Sequence, residues 1–106
     1  MPNKIEINIT AEDLAAEAKV NAYVNVRTGT GSPEAALQAL VREAVGEGVD
    51  YLRTGTEQTS FSGEHDDEHY GKALGLAQAV KIATRGEITD TDVIGSARVV
   101  YVEENA

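Results

Sequence analysis

The chain has 106 residues, the length of one ordinary domain, and carries 18 acidic against 9 basic residues for a formal net charge of −9. It contains no cysteine, which excludes disulfide frameworks, thiolate zinc and iron–sulfur sites and cysteine nucleophiles. The acidic excess, with no clustered Lys or Arg, argues against general nucleic-acid binding, because neutralising phosphates needs such clusters.

The hydrophobic fraction is 42%, with one Phe, one Met and no Trp. A core of small aliphatic side chains buries little area per residue, so modest stability or support from oligomerisation is expected. Met1-Pro2-Asn3-Lys4 opens no apolar stretch of signal-peptide length. No run approaches the ~18 apolar residues of a membrane span. The expectation is a cytoplasmic single domain over residues 1–106 with no membrane contact and no cofactor.

In chain order, Ile5, Ile7 and Ile9 alternate with Lys4, Glu6, Asn8 and Thr10, which predicts a half-buried strand over 4–10. Thr10 and Asp13 are spaced to cap a short helix over 11–16. Alternation resumes with Ala18, Val20, Ala22, Val24 and Val26 opposite Lys19, Asn21, Tyr23, Asn25 and Arg27. That predicts a second strand over 17–28, pairing antiparallel with the first. Its polar side, with Tyr23, Asn25 and Arg27, is a candidate contact surface.

Ser32-Pro33-Glu34 is a helix start, with Ser as N-cap, Pro in the first position and an acid in the first turn. Leu37, Leu40, Val41, Ala44 and Val45 follow at helical spacing, and Gly46 and Gly48 are expected to end the helix. A short strand over 49–54 and a loop over 55–65 come next. A second helix is expected from about Asp66 to Thr84, stopped by Gly86. Residues 92–103 predict a last strand, apolar on both faces through Val93, Ala97, Val99 and Tyr101 on one side and Ile94, Val100 and Val102 on the other. Such a segment is central under two layers or part of a subunit interface. The expected order, β-β-α-(β)-α-β, is an α+β fold: an antiparallel sheet of three to four strands with two helices on one face.

Three features are candidates for function. His65-Asp66-Asp67-Glu68-His69 places two histidines four apart, a spacing that suits metal ligation on a helix. A zinc-protease reading fails on size, and an acidic helix start accounts for the cluster without a metal. The turn Arg27-Thr28-Gly29-Thr30-Gly31-Ser32, feeding a helix N-terminus and echoed by Arg53-Thr54-Gly55-Thr56, is a candidate anion site. Neither the full phosphate-loop pattern nor the dinucleotide fingerprint is present.

Gly71, Gly75, Ala79 and Ala83 recur every four positions. They form a small-residue stripe that calls for close approach by the sheet, the first helix or a second subunit. With Ile94, Val100 and Val102, this stripe is a candidate subunit interface. No catalytic constellation is constrained. The residues therefore favour a non-catalytic binding module acting as a homo-oligomer, its ligand a partner protein or a small anionic, phosphate- or nucleotide-like molecule. The alternatives are a small enzyme acting on a phosphorylated or nucleotide substrate at a subunit interface, with His65 or His69 as proton carrier, and an acidic inhibitor or assembly factor of bacterial or phage origin.

Overall fold

Two threonine–aspartate pairs, each three residues apart, set the starts of two helices. Thr10 Oγ1 accepts from the Asp13 N–H at 3.1 Å while Asp13 Oδ2 accepts from the Thr10 N–H at 3.2 Å. The same reciprocal capping box joins Thr89 and Asp92, at 3.2 and 2.9 Å. Each box satisfies two amide donors that a helix start leaves unpaired. The computed structural model describes residues 7–26, 33–54 and 67–105. Among them are four helices, α1 (Ala11–Val26), α2 (Pro33–Thr54), α3 (Asp67–Ala83) and α4 (Asp90–Glu104).

The helix α3 ends in a Schellman arrangement. The Gly86 N–H donates to the Lys81 carbonyl at 2.8 Å and the Arg85 N–H to the Ile82 carbonyl at 3.1 Å. Arg85 (φ 54°) and Gly86 (φ 82°) both take the left-handed conformation that this closure requires. The Thr84 hydroxyl donates to the Val80 carbonyl at 2.7 Å and accepts from the Ile88 N–H at 3.1 Å. It thereby ties the end of α3 to the turn before α4.

At the centre lies α4, packed on all three other helices. One core cluster joins Val20, Tyr23 and Val24 of α1, Val41 and Ala44 of α2, Ala77 and Val80 of α3, Val93 of α4, and Ile88 from the turn. A second, at the far end of α2 and α4, holds Tyr51, Leu52 and Tyr101, with Ile7, Tyr70 and Val102 packed against it. The α1–α4 contact is close because Gly95 has no side chain. A Cβ there would stand 2.9 Å from the Ala16 Cβ and 3.3 Å from the Asp13 Cα. On either side of this contact Lys19 Nζ meets Asp92 Oδ2 at 2.9 Å and Arg98 meets the buried Asp13 at 3.3 Å.

Burial alone would raise the Asp92 carboxyl. The hydrogen bonds from the Thr89 N–H, the Lys19 ammonium and the Thr89 hydroxyl, with the Lys19 charge, outweigh it and hold the group below its ordinary value. A lowered carboxylate stabilises the fold above the unfolded-state pKa of about 3.9, and this contribution disappears as pH falls through the folded value. Lys19 is half exposed, so Lys19→Met should cost no more than about 1 kcal/mol at pH 7. Urea titrations of wild type and variant should converge as the pH falls through the lowered folded value of Asp92 and the carboxylate is lost in both. A gap that persists at low pH would show that the Lys19 stem, rather than its charge, makes the contribution.

The sheet expected from the sequence is absent among the described residues, and the α+β assignment is corrected to an all-helical one. Residues 17–26 belong to α1. The side chains α1 buries are Asp13, Ala16, Val20, Tyr23 and Val24, which follow helical spacing. Ala18 and Ala22, counted as one apolar strand face, are exposed, whereas Tyr23, placed on the polar face, is buried. The helix expected over 11–16 is only the beginning of α1.

Gly46 and Gly48 do not end α2. It continues through the segment expected as a strand over 49–54, because Val49, Tyr51 and Leu52 are buried along it. The burial of those three side chains outweighs the roughly 1 kcal/mol that each interior glycine costs. The two-faced segment over 92–103 is α4, which packs on α1, α2 and α3; Val93, Ala97, Val99 and Tyr101 are buried, whereas Ile94, Val100 and Val102 are half-buried. Of the strand expected over 4–10, residues 7–10 have no regular structure and the remainder lies outside the described residues, as does the 55–65 loop. The helix expected from 66 to 84 is found as α3, with Gly86 at its close.

Candidate functional site

Both α1 and α2 pack on α4 but touch each other little. Where they diverge, an open groove of about 480 Å³ forms, with α4 as its floor. Each helix contributes side chains four residues apart, the spacing that puts them in a row on one helix face. Val41, Val45, Val49 and Arg53 come from α2, Ser96, Val100 and Glu104 from α4, and Val20 and Val24 with Asn21 and Asn25 from α1. A second row on α2, Arg42, Gly46 and Asp50, forms the outer lip. From Val41 to Arg53 the groove runs about 18 Å at 1.5 Å per residue.

Its apolar lining is valine contributed by all three helices, with the buried Ser96 of α4 among them. Among the described residues the α1 lip carries two neutral amides and no charge. The α2 and α4 sides carry Arg42, Arg53, Asp50 and Glu104, two charges of each sign. Arg53 is held by Glu104 of the same chain. Such a lining offers apolar contact, amide hydrogen bonding and balanced charge. It contains no histidine, and Ser96 is the one hydroxyl among its residues.

Of the candidate anion site, Arg27, Thr28, Gly29, Thr30, Gly31 and Ser32 lie outside the described residues. Arg53 lies in the groove, paired with Glu104, and Thr54 is the last residue of α2. Of the candidate metal ligands, His65 lies outside the described residues. His69 stands on α3 with Nδ1 3.6 Å from Glu47 Oε2 of α2. Among the described residues no group of three His, Cys, Asp or Glu side chains is placed to hold an ion.

Among the described residues the small-residue stripe has no neighbour of the expected kind. Gly71 and Gly75 are exposed, and an added Cβ at either would meet nothing within 4 Å. With Glu43, Glu47, Lys72 and Leu76 they line a shallower α2–α3 cleft of about 380 Å³. Ala79 is half-buried and Ala83 exposed, while Ala73, Ala77 and Val80 supply the inward face of α3. Of the other interface candidates, Val100 lines the groove, Val102 packs on the Tyr51–Leu52–Tyr101 cluster, and Ile94 is half-buried on α4.

Among the groove residues, Asn21, Arg42, Gly46, Asp50, Ser96 and Glu104 were not singled out as site residues by the sequence. A signal for one row was present, since Val41 and Val45 open a four-residue repeat that reaches Arg53. It is legible only once α2 is known to pass its glycines. No family model, curated protein or solved structure matches the chain.

Proposed function

We propose that the protein is a non-catalytic binding module that works as a homo-oligomer, with the α1–α2 groove as its contact surface for another polypeptide. The observation that carries this reading is the open, valine-lined groove with polar lips. Sites for small molecules are concave and enclose most of the ligand. A shallow trough about three helical turns long suits a chain segment laid along it. The half-buried Val45 and Val100 give the apolar contact, and Asn21, Asn25 and Arg42 form a polar rim of the kind that surrounds protein interfaces.

The test is native mass spectrometry of the protein purified from its host. The wild type should retain at least one further polypeptide, a second copy of its own chain among them. That species should be lost in Val45→Asp and in Asn25→Trp, the latter an exposed substitution that blocks the groove while leaving the helical circular dichroism unchanged. A bare monomer, or a retained small molecule alone, would overturn the reading.

A further inference from the structure

We infer that the occupant of this groove is an extended segment of a partner polypeptide, apolar at alternate positions, with a single acidic side chain between them that meets Arg42. The inference rests on the groove being a contact surface and states the chemistry of what it takes. Three features of the lining lead to it.

The first is the pair of amides on the α1 lip. Asn21 and Asn25 are exposed, line the groove and stand one helical turn apart, about 6 Å at 1.5 Å per residue. Each side chain offers N–H donors and a carbonyl acceptor. A helical occupant has paired its backbone groups internally, whereas an extended chain carries N–H and C=O groups that still need partners. Groups facing the same way along an extended chain recur about every 6.6 Å. The two amides therefore match successive same-facing peptide groups of an extended segment.

The second is the apolar lining. Val45 of α2 and Val100 of α4 are both half-buried and line the groove. Side chains alternate in direction along an extended chain. Every second residue of the occupant thus turns towards these valines and is apolar, and the residues between turn away from them, to the level of the lips.

The third is charge. Four charged side chains line the groove. Glu104 is held with Arg53 and Asp50 also interacts within the chain, so both acids of the lining are engaged. Arg42 is exposed on the α2 lip. Val24 and Val41 share one core cluster, which sets their neighbours Asn25 and Arg42 at the same end of the groove. An acidic side chain turned to the lip at that end meets the guanidinium. The whole chain carries −9 and repels further acids. One acid beside Arg42 therefore fixes the register of the segment, and additional ones weaken its binding.

Fluorescence anisotropy of a labelled synthetic peptide, acetyl-Thr-Val-Glu-Val-Thr-amide, tests this on the full chain. The wild type should bind it. Glutamine in place of the peptide's glutamate, or Arg42→Gln in the protein, should each weaken binding about three- to five-fold, the range of an exposed ion pair. The two changes together should weaken it no further. Asn25→Ala should weaken binding about five- to ten-fold through lost hydrogen bonds to the peptide backbone. An acidic amphipathic helical peptide should not displace the probe. Both substituted positions are exposed, and unchanged helical circular dichroism confirms the fold of each variant. No binding of the probe, full additivity of the glutamine and Arg42→Gln losses, or displacement by the helical peptide would each overturn the inference. If the wild type fails to bind the probe but retains a polypeptide that Asn25→Trp releases, the groove reading stands and the extended acidic segment falls. If it binds and retains nothing, both fall.

Discussion

Gly95→Val should cost about 3 kcal/mol of folding free energy, the upper end of the range for overpacking, at a helix contact that has no room for a side chain. Even an alanine Cβ would stand 2.9 Å from the Ala16 Cβ, 3.2 Å from Asp13 Oδ1 and 3.3 Å from the Asp13 Cα. Two of those atoms belong to backbone or to a side chain with no freedom to rotate away. To admit the added methyls, α1 must move off α4, which would loosen the Arg98–Asp13 and Lys19–Asp92 contacts together. A domain of this size has about 5–15 kcal/mol of total stability, so the variant should melt well below wild type. Gly46→Ala is the control. It relieves a helix-interior glycine of its entropic cost and, in the isolated chain, should gain up to about 1 kcal/mol. Urea denaturation at a concentration low enough to keep both variants monomeric checks the pair. Equal stability of Gly95→Val and wild type would show that α1 and α4 do not touch at this point.

Tyr51→Ala is expected to lose about 3–5 kcal/mol, the range for truncating a large buried aromatic side chain. Tyr51 is fully buried and joins the end of α2 to α3 through Tyr70, with ring centroids 5.6 Å apart and planes at 57°. It also shares a cluster with Tyr101 of α4 and Ile7 of the segment before α1. One truncation would therefore loosen α2, α3, α4 and the residue 7–10 segment at one end of the bundle. Tyr51→Phe keeps the ring and should retain most of that stability. Amide hydrogen exchange gives the local signature, with protection lost around residues 49–53 and 98–102 before the Val20–Val41–Ile88 cluster. Uniform loss across both clusters would mean that the two ends do not open separately.

The helix starts and stops were legible where they rest on local chemistry. The Thr10–Asp13 cap, Pro33 as the first residue of α2 and the closure of α3 at Gly86 are all found. What misled was the period of the apolar residues. In α1, alanines that helices tolerate anywhere completed a spurious two-residue alternation, and Tyr23 was assigned by its hydroxyl rather than its ring. In α4, which packs on three other helices, only Thr91, Glu103 and Glu104 are exposed, and its valines with Ile94 imitate a buried strand. The Thr89–Asp92 box was the contrary signal, and it repeats the Thr10–Asp13 pattern. In α2, two glycines looked like a stop, though burial beyond them carries the helix on.

The groove was scarcely legible, because it depends on how α1 and α2 splay over α4. Its parts were nonetheless printed in the sequence as four-residue rows.

Native mass spectrometry of the wild type beside Asn25→Trp tests the groove as a contact surface most directly. Asn25 is exposed at the lip of the groove, so the substitution fills the groove without disturbing the core. The account predicts that the wild type retains a second polypeptide and that Asn25→Trp, with unchanged helical circular dichroism, releases it. Equal retention by the two chains would contradict the account.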